Sequence, residues 1–322
     1  MRPVFISSFA DEMNSYLDDK KAAGYSEDSF QSKLKEFDRF CTETGNNEKV
    51  FTTEQAQKWI KRKPKESTTT HYGRVNAAKQ FLLYLRLKGY DVVVVRDVKF
   101  HPTQFQPHIY SDDEIKRFFD VVDSYSSSRN RKDAIQYPIL FRILHSCGSR
   151  ISETLYIQKR DVDLARGIIR LSETKNGEER FIALGDDLIS LMNQFADKCF
   201  YLLADDDYIF TNSHGGRLEV NTVYEKHRLF LKKAGIPYRG NGEGPRIHDW
   251  RHSMAVRSFK QLADAGLDLY VALPILSAYL GHKTIYATEH YVRLTMQIYP
   301  SIEQKFAPVV DRIFGGDADE DN

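Results

Sequence analysis

Two stretches decide how this chain reads: residues 246–256, RIHDWRHSMAV, and residues 273–294, LPILSAYLGHKTIYATEHYVRL. They set His248, Arg251 and His252 at one end, His282 in the middle, and Tyr291 nine positions beyond His282. Imidazoles, a guanidinium and a phenol are the groups needed to hold a phosphodiester, neutralise it and attack it, with no metal or cofactor. Working outward, Arg150 stands in SCGSRISET (146–154) and Lys175 in LSETKNGEERFIAL (171–184). His248 and His252 are four apart and share a helix face, so HDWRH also looks like a truncated H-E-x-x-H zinc site. Hydrolytic zinc needs a third ligand, and the Arg251 cation one turn away would be repelled, which favours the phosphate.

In the order Arg, Lys, His-x-x-Arg, Gly-His, Tyr, the chain resembles the tyrosine recombinases, the phage integrase family, from Ser111 to Phe314. The resemblance implies a mainly helical fold with a small antiparallel sheet, in two domains. It implies that Arg150 and Arg251 neutralise the scissile phosphate and that His248 touches it. Lys175 becomes the general acid on the leaving oxygen, and His282 binds a non-bridging oxygen or helps Tyr291 lose its proton. Tyr291 is the nucleophile, while Glu153 steers Arg150 and His252 supports from behind or only packs. Tyr279, Tyr286 and Tyr299 lie nearby, but with 18 tyrosines in the chain most must pack, and Tyr291 is the one at the family's distance from Gly281-His282. Two arginines around one phosphate would lower a phenol pKa that is ordinarily near ~10 and spread the charge of a pentavalent transition state.

Composition adds bounds. A chain of 322 residues exceeds the usual single domain, and 41% hydrophobic with 28% charged residues fits a soluble globular protein. The net charge of +1 announces no nucleic-acid partner, yet it leaves room for a local basic face. Cys41, Cys147 and Cys199 are scattered, which fits a reducing compartment. The first residues carry no signal-peptide core and no run reaches the ~18 apolar residues of a membrane span, so a cytoplasmic, nucleoid-associated protein is expected.

Residues 5–90 read as four helices, with apolar periods at Phe9, Met13, Tyr16, Leu17 and at Phe30, Leu34, Phe37, Cys41. Gly24 and Gly45 close the first two, Thr52 and Gln55 form a capping box for the third, and the fourth follows a Thr-rich loop. Between the third and fourth, Lys61, Arg62, Lys63, Lys65 and Arg74 crowd together with hydroxyls, either a solvated loop or a DNA phosphate contact. The resemblance makes residues 1–91 a helical, SAM-like core-binding domain and 92–110 a linker, with the boundary near Gln106. Residues 111–315 become the catalytic domain, and 316–322 an acidic, disordered tail.

Ser111 and Glu114 read as a capping box, residues 134–147 as a buried helix delivering Arg150, and GIIRL (167–171) with RFIAL (180–184) as a hairpin whose Asn-Gly loop carries Lys175. Arg150 paired with Glu153 and Lys175 merely exposed are the bland readings of those two residues. Helices over 187–200 and 220–234 flank a short strand at 208–210. Residues 302–314 form an amphipathic helix that family members pass to a neighbour, building a tetramer on double-stranded DNA; folding back on its own domain is the rival. LDLYVALPI is longer than in compact members, Ser149 stands where an apolar residue is usual, and an arm-binding domain ahead of the first helix is not expected.

The function implied is a site-specific recombinase of the integrase or transposase type from a mobile element. It would work through a 3′-phosphotyrosine and a Holliday junction without ATP or magnesium. The alternatives are a type IB topoisomerase, which would relax any supercoiled plasmid, and a catalytically silent DNA-binding regulator, which would lack a catalytic residue.

Overall fold

The computed structural model describes residues 3–25, 28–45, 48–100, 106–126, 132–172, 179–238, 240, 244–267, 269–282, 284 and 286–299. Its contacts divide the chain into two units, Met1–Phe105 and Gln106–Asn322.

The first unit is built from α1 (Ala10–Ala22), α2 (Asp28–Thr44), α3 (Thr53–Trp59) and α4 (Thr68–Leu87). The apolar residues spaced for helices do converge: Phe9, Met13, Tyr16, Leu17, Leu34, Phe37 and Cys41 share one core with Trp59, Phe81 and Leu82. Phe37 meets Trp59 edge-on at 5.0 Å between ring centroids, an arrangement that suits the ring quadrupoles. Thr52 and Gln55 form the expected capping box. The fourth helix starts earlier than its Thr-rich loop suggested. Ser67 accepts from the Thr70 amide as N-cap, so Thr68, Thr69 and Thr70 are its first turn.

The span expected as a linker is shared between the units. Val92 and Val95 are buried in the first core, where Val92 bridges Phe51, and Tyr110 is buried in the second. Valines beside an open core gain more from burial than from serving as a tether.

In the second unit, α5 (Asp112–Asp123) begins at the Ser111–Glu114 capping box and α6 (Asp133–Cys147) runs through the core, burying Tyr137, Leu140, Phe141, Ile143 and Leu144. After the single-turn α7 (Ile151–Leu155) comes a three-stranded antiparallel sheet of β1 (Val162–Asp163), β2 (Ile168–Leu171) and β3 (Arg180–Ala183), in that order. Ile169 faces Ile182 across the β2–β3 ladder and both are buried, which fixes the register. Lys175 lies outside the described residues. β1 was not foreseen, because two residues carry no periodicity.

α8 (Asp186–Cys199) and α9 (Val220–Lys233) follow, and the strand expected at 208–210 is reduced to isolated bridges at Tyr208 and Thr211. Last come α10 (Ile247–Asp264), α11 (Leu269–Leu280) and α12 (Tyr286–Ile298). α10 packs on α6, α11 and α12, and the LDLYVALPI stretch supplies the whole first half of α11. The helix and tail expected beyond residue 300 lie outside the described residues. Among the described residues, no helix is long and apolar enough to cross a membrane.

Candidate active site

The site begins at the N-terminus of α10. Asp249, fully buried, accepts from the Arg246 amide at 2.8 Å and from Arg246 Nη2 at 3.1 Å, closing a reciprocal cap. The acid of HDWRH is thereby committed to starting the helix. Trp250 turns into the core, stacked on Tyr110 at 3.8 Å, and donates to the buried His227. With Trp250 fixed inward, the helical period delivers His248, Arg251 and His252 to the α6–α11–α12 side.

Arg251 is 1% exposed and bonded on several sides. Nη1 donates to Gly148 O at 2.7 Å, and Nη2 donates to Leu280 O at 2.5 Å and to His282 Nε2 at 3.0 Å. Gly148 caps the C-terminus of α6 and Leu280 ends α11, so two helix ends turn their negative dipoles toward one guanidinium. Burial, then the neighbouring Arg150, bring its pKa down only to about 10, which leaves it a cation at neutral pH. Gly148 sits at φ +61, a conformation that favours glycine, and a β-carbon there would press on Met254 Sδ at 3.0 Å.

Arg150 occupies the N-cap of α7. Glu153 accepts from the Arg150 amide at 2.8 Å and from Arg150 Nη1 at 2.7 Å, and the same buried carboxylate takes Arg180 Nη1 at 3.0 Å and Nη2 at 2.7 Å. Burial raises the Glu153 pKa, but the donors of Arg180 and Arg150 outweigh it and hold the acid at about 2. The pairing of Arg150 with Glu153 is therefore present, and Arg180 shares it. Ser149, unusual in its place, is buried and bonds Thr154 at 2.6 Å, which satisfies its hydroxyl.

His282 follows Gly281 at the end of α11; its Nδ1 lies 2.7 Å from Thr288 Oγ1. Tyr291, on α12, is 3% exposed. Its ring stacks on His282 at 6.0 Å and 10° and lies 5.3 Å from His252. Burial raises the phenol pKa while Arg251 and Arg150 pull it back. His248 meets His252 edge-on at 4.8 Å, and the His252 Nδ1 has no hydrogen-bond partner among the described residues.

The structure thus brings together Arg150, Glu153, His248, Arg251, His252, His282 and Tyr291, residues spread over more than 140 positions. Tyr279 instead packs beside Cys147 and Tyr299 lies under Lys260.

The electrostatics share one sense. Four guanidiniums (Arg150, Arg180, Arg246, Arg251) face two carboxylates (Glu153, Asp249). Burial and these cations push His248 and His282 down to about 4, and burial with the neighbouring His248 pushes His252 to about 3. Burial is the larger part of that shift; the part due to the arginines is the part that also favours an anion.

Two members of the cluster were missed by sequence reasoning. Arg180 was counted only as a strand residue, and Thr288 not at all; a buried hydroxyl that orients a histidine has no sequence signal of its own. One expected DNA contact is corrected. Arg74 is 2% exposed, donating to Trp59 O at 2.6 Å and to the Glu66 carboxylate at 2.8 Å, so it is a core residue that holds the basic loop in shape. Lys61, Arg62, Lys63 and Lys65 are exposed, with Lys63 paired to Glu36 at 2.6 Å.

Residues 109–297 match the model of the phage integrase family. The chain belongs to that family. It is a tyrosine recombinase, a DNA strand-exchange enzyme whose nucleophile is a tyrosine side chain. It is 24% identical to tyrosine recombinase XerA of Thermococcus kodakarensis over 72% of this chain and 74% of that one. It is 22% identical to tyrosine recombinase XerC of Staphylococcus saprophyticus over 83% and 86%. Among solved structures, the recombinase shares its fold with XerH bound to difH substrate (18% identity, 87% and 78% covered, TM-score 0.62). It likewise shares it with the Tn1549 transposon integrase bound to a circular-intermediate DNA (15%, 87% and 94%, TM-score 0.63).

Proposed function

We propose that Tyr291 attacks a backbone phosphorus of a double-stranded core site, so that the Oη–P bond forms as the P–O5′ bond breaks. The supporting observation is the buried Arg251, fixed by Gly148 O, Leu280 O and His282 while its charge acts on the Tyr291 phenol. A guanidinium held in this way needs no reorganisation when charge develops on the phosphate. Arg150 supplies the second cation and His248 a further contact.

Lys175 gives its proton to the departing 5′ oxygen, leaving a 3′-phosphotyrosine and a free 5′-hydroxyl. The phosphotyrosine keeps the energy of the phosphodiester, so a second 5′-hydroxyl can attack it, displace Tyr291 and build a Holliday junction. Neutral His248 is a base within the site for the phenol proton, while His282, its Nε2 lone pair turned to Arg251, helps hold that guanidinium toward the phosphate. Lys61, Arg62, Lys63 and Lys65 contact DNA phosphates, and residues 302–314 join four protomers into a ring. XerH and the Tn1549 integrase, named above, were captured on DNA, which supports the duplex as partner.

A nicked suicide duplex tests this reading. Wild type should yield a protein–DNA adduct on a denaturing gel and Tyr291→Phe none; an adduct with Tyr291→Phe would place the nucleophile elsewhere.

A further inference from the structure

Arg180 opens β3, a strand that carries none of the residues assigned to the reaction above, yet its guanidinium reaches three places at once. Nη1 and Nη2 hold both oxygens of Glu153 at 3.0 and 2.7 Å. Nε donates to Tyr279 O at 3.2 Å, in the last turn of α11. Its flat face lies against Gly281, where a β-carbon would stand 3.1 Å from Nη1 and 3.3 Å from the guanidinium carbon. Two consecutive carbonyls at the end of α11 are therefore taken by arginines, Tyr279 O by Arg180 and Leu280 O by Arg251. The side chain is 12% exposed, and the Glu153 it grips is fully buried.

We propose that Arg180 is a positioning residue for strand cleavage. Through Glu153 it fixes the angle at which Arg150 meets the phosphate, and through Tyr279 O and Gly281 it fixes the turn that carries His282. Without Arg180, Glu153 would be a buried carboxylate facing one arginine instead of two. Arg150 would then be drawn fully into that pair, with less of its guanidinium left for the substrate. Lysine, with a single charged nitrogen, cannot span Glu153 and Tyr279 O together, so the geometry and not the charge is what Arg180 contributes. The inference rests on the cleavage role proposed above for Arg150 and Tyr291.

The test uses full-length protein and a core sequence that wild type selects, by covalent capture, from a pool of nicked duplexes with randomised centres. Adduct formation is timed for wild type, Arg180→Ala, Arg180→Lys, Arg150→Ala and the Arg150→Ala/Arg180→Ala double variant. Each is assayed on the ordinary phosphodiester and on a duplex whose scissile phosphate is a neutral methylphosphonate. Arg180→Ala and Arg180→Lys should each cleave the phosphodiester about 100-fold more slowly, the scale expected for a misplaced reacting group, with gel-shift affinity unchanged. Most of that loss should vanish on the methylphosphonate, where there is no charge for Arg150 to neutralise, and most should vanish in the Arg150→Ala background.

An Arg180→Lys enzyme with wild-type rate would overturn the proposal. So would a defect equally large on the methylphosphonate, or one that adds in full to that of Arg150→Ala. If Arg180→Ala proves unfolded by circular dichroism, Arg180→Lys alone decides. Failure of wild type to capture any duplex would instead count against the cleavage reading itself.

Discussion

Arg251 Nη2 lies 3.0 Å from His282 Nε2. Because a guanidinium only donates, that nitrogen of His282 must accept, and the ring proton is assigned to Nδ1, which donates to Thr288 Oγ1 at 2.7 Å. The imidazole is thus held neutral in one tautomer, its face against the Tyr291 ring.

Thr288→Val should loosen that ring. The Nδ1–H loses an acceptor that is itself fully buried, at a cost to stability of about 1–3 kcal/mol, and cleavage should slow because the ring is then held from one side only. Nitrogen-15 NMR of histidine-labelled protein reads the tautomer directly: His282 should report protonated Nδ1 in wild type, and in the variant as well, because Arg251 still donates to Nε2. A wild-type signal from protonated Nε2 would contradict the assignment.

Gly281→Ala tests the close approach of Arg180. The residue sits at φ +67, where a β-carbon costs roughly 1–2 kcal/mol, and the added methyl would press on the Arg180 guanidinium 3.1 Å away. We expect a lower urea midpoint with unchanged m-value, together with slower adduct formation. Gly24→Ala is the control, because at φ +81 nothing lies within 4 Å of its added carbon, so it should lose stability and keep its cleavage rate.

Arg74 and the lysines beside it should fail in opposite ways. Arg74→Ala takes the guanidinium from Trp59 O and from the Glu66 carboxylate, whose pKa is held at about 2 chiefly by Arg74 and which keeps the Lys63 amide, and should unfold the first unit several degrees earlier. Lys61→Ala or Lys65→Ala should leave the melting curve in place and reduce the dependence of DNA affinity on salt by about one phosphate contact each. Fluorescence anisotropy across a salt series separates the two classes.

Stability should fall as pH drops through a defined window. His227 is held near 3 by burial and then Arg228, and His282 and His145 are pushed to about 4, whereas unfolded imidazoles titrate at 6.5. Below pH 6.5 the unfolded chain takes up protons that these folded rings refuse, so stability is full above 6.5 and declines toward 4. The slope is about 1.4 kcal/mol per pH unit for each ring kept neutral. Glu153 acts lower, its contribution being lost only as pH falls from 4.5 toward 2. Urea midpoints at pH 7.5, 6.0 and 4.5 should drop progressively; a flat profile across that range would show that these rings accept protons in the folded state.

Local chemistry wrote much of this into the sequence. The capping boxes at Thr52 and Ser111 need only three residues of spacing, the core faces of α1 and α2 follow from helical period, and the order of Arg150, Lys175, His248, Arg251, His282 and Tyr291 is itself a linear signal. Where a side chain has two plausible partners, the sequence does not choose. Arg74 stands among lysines and hydroxyls and looks like one more phosphate contact, but the fold places a carboxylate and a carbonyl around it, and a guanidinium with five donors settles where they are met.

What the chain determined alone is therefore its helices, their inward faces and the identities of the groups that can do the chemistry. What only the tertiary structure decided is who holds whom. Arg180 shares Glu153 with Arg150, and Arg251 ties the ends of α6 and α11 together. These bonds join residues up to 103 positions apart, beyond any spacing rule, because they arise where packed helix ends leave carbonyls that a buried cation must satisfy.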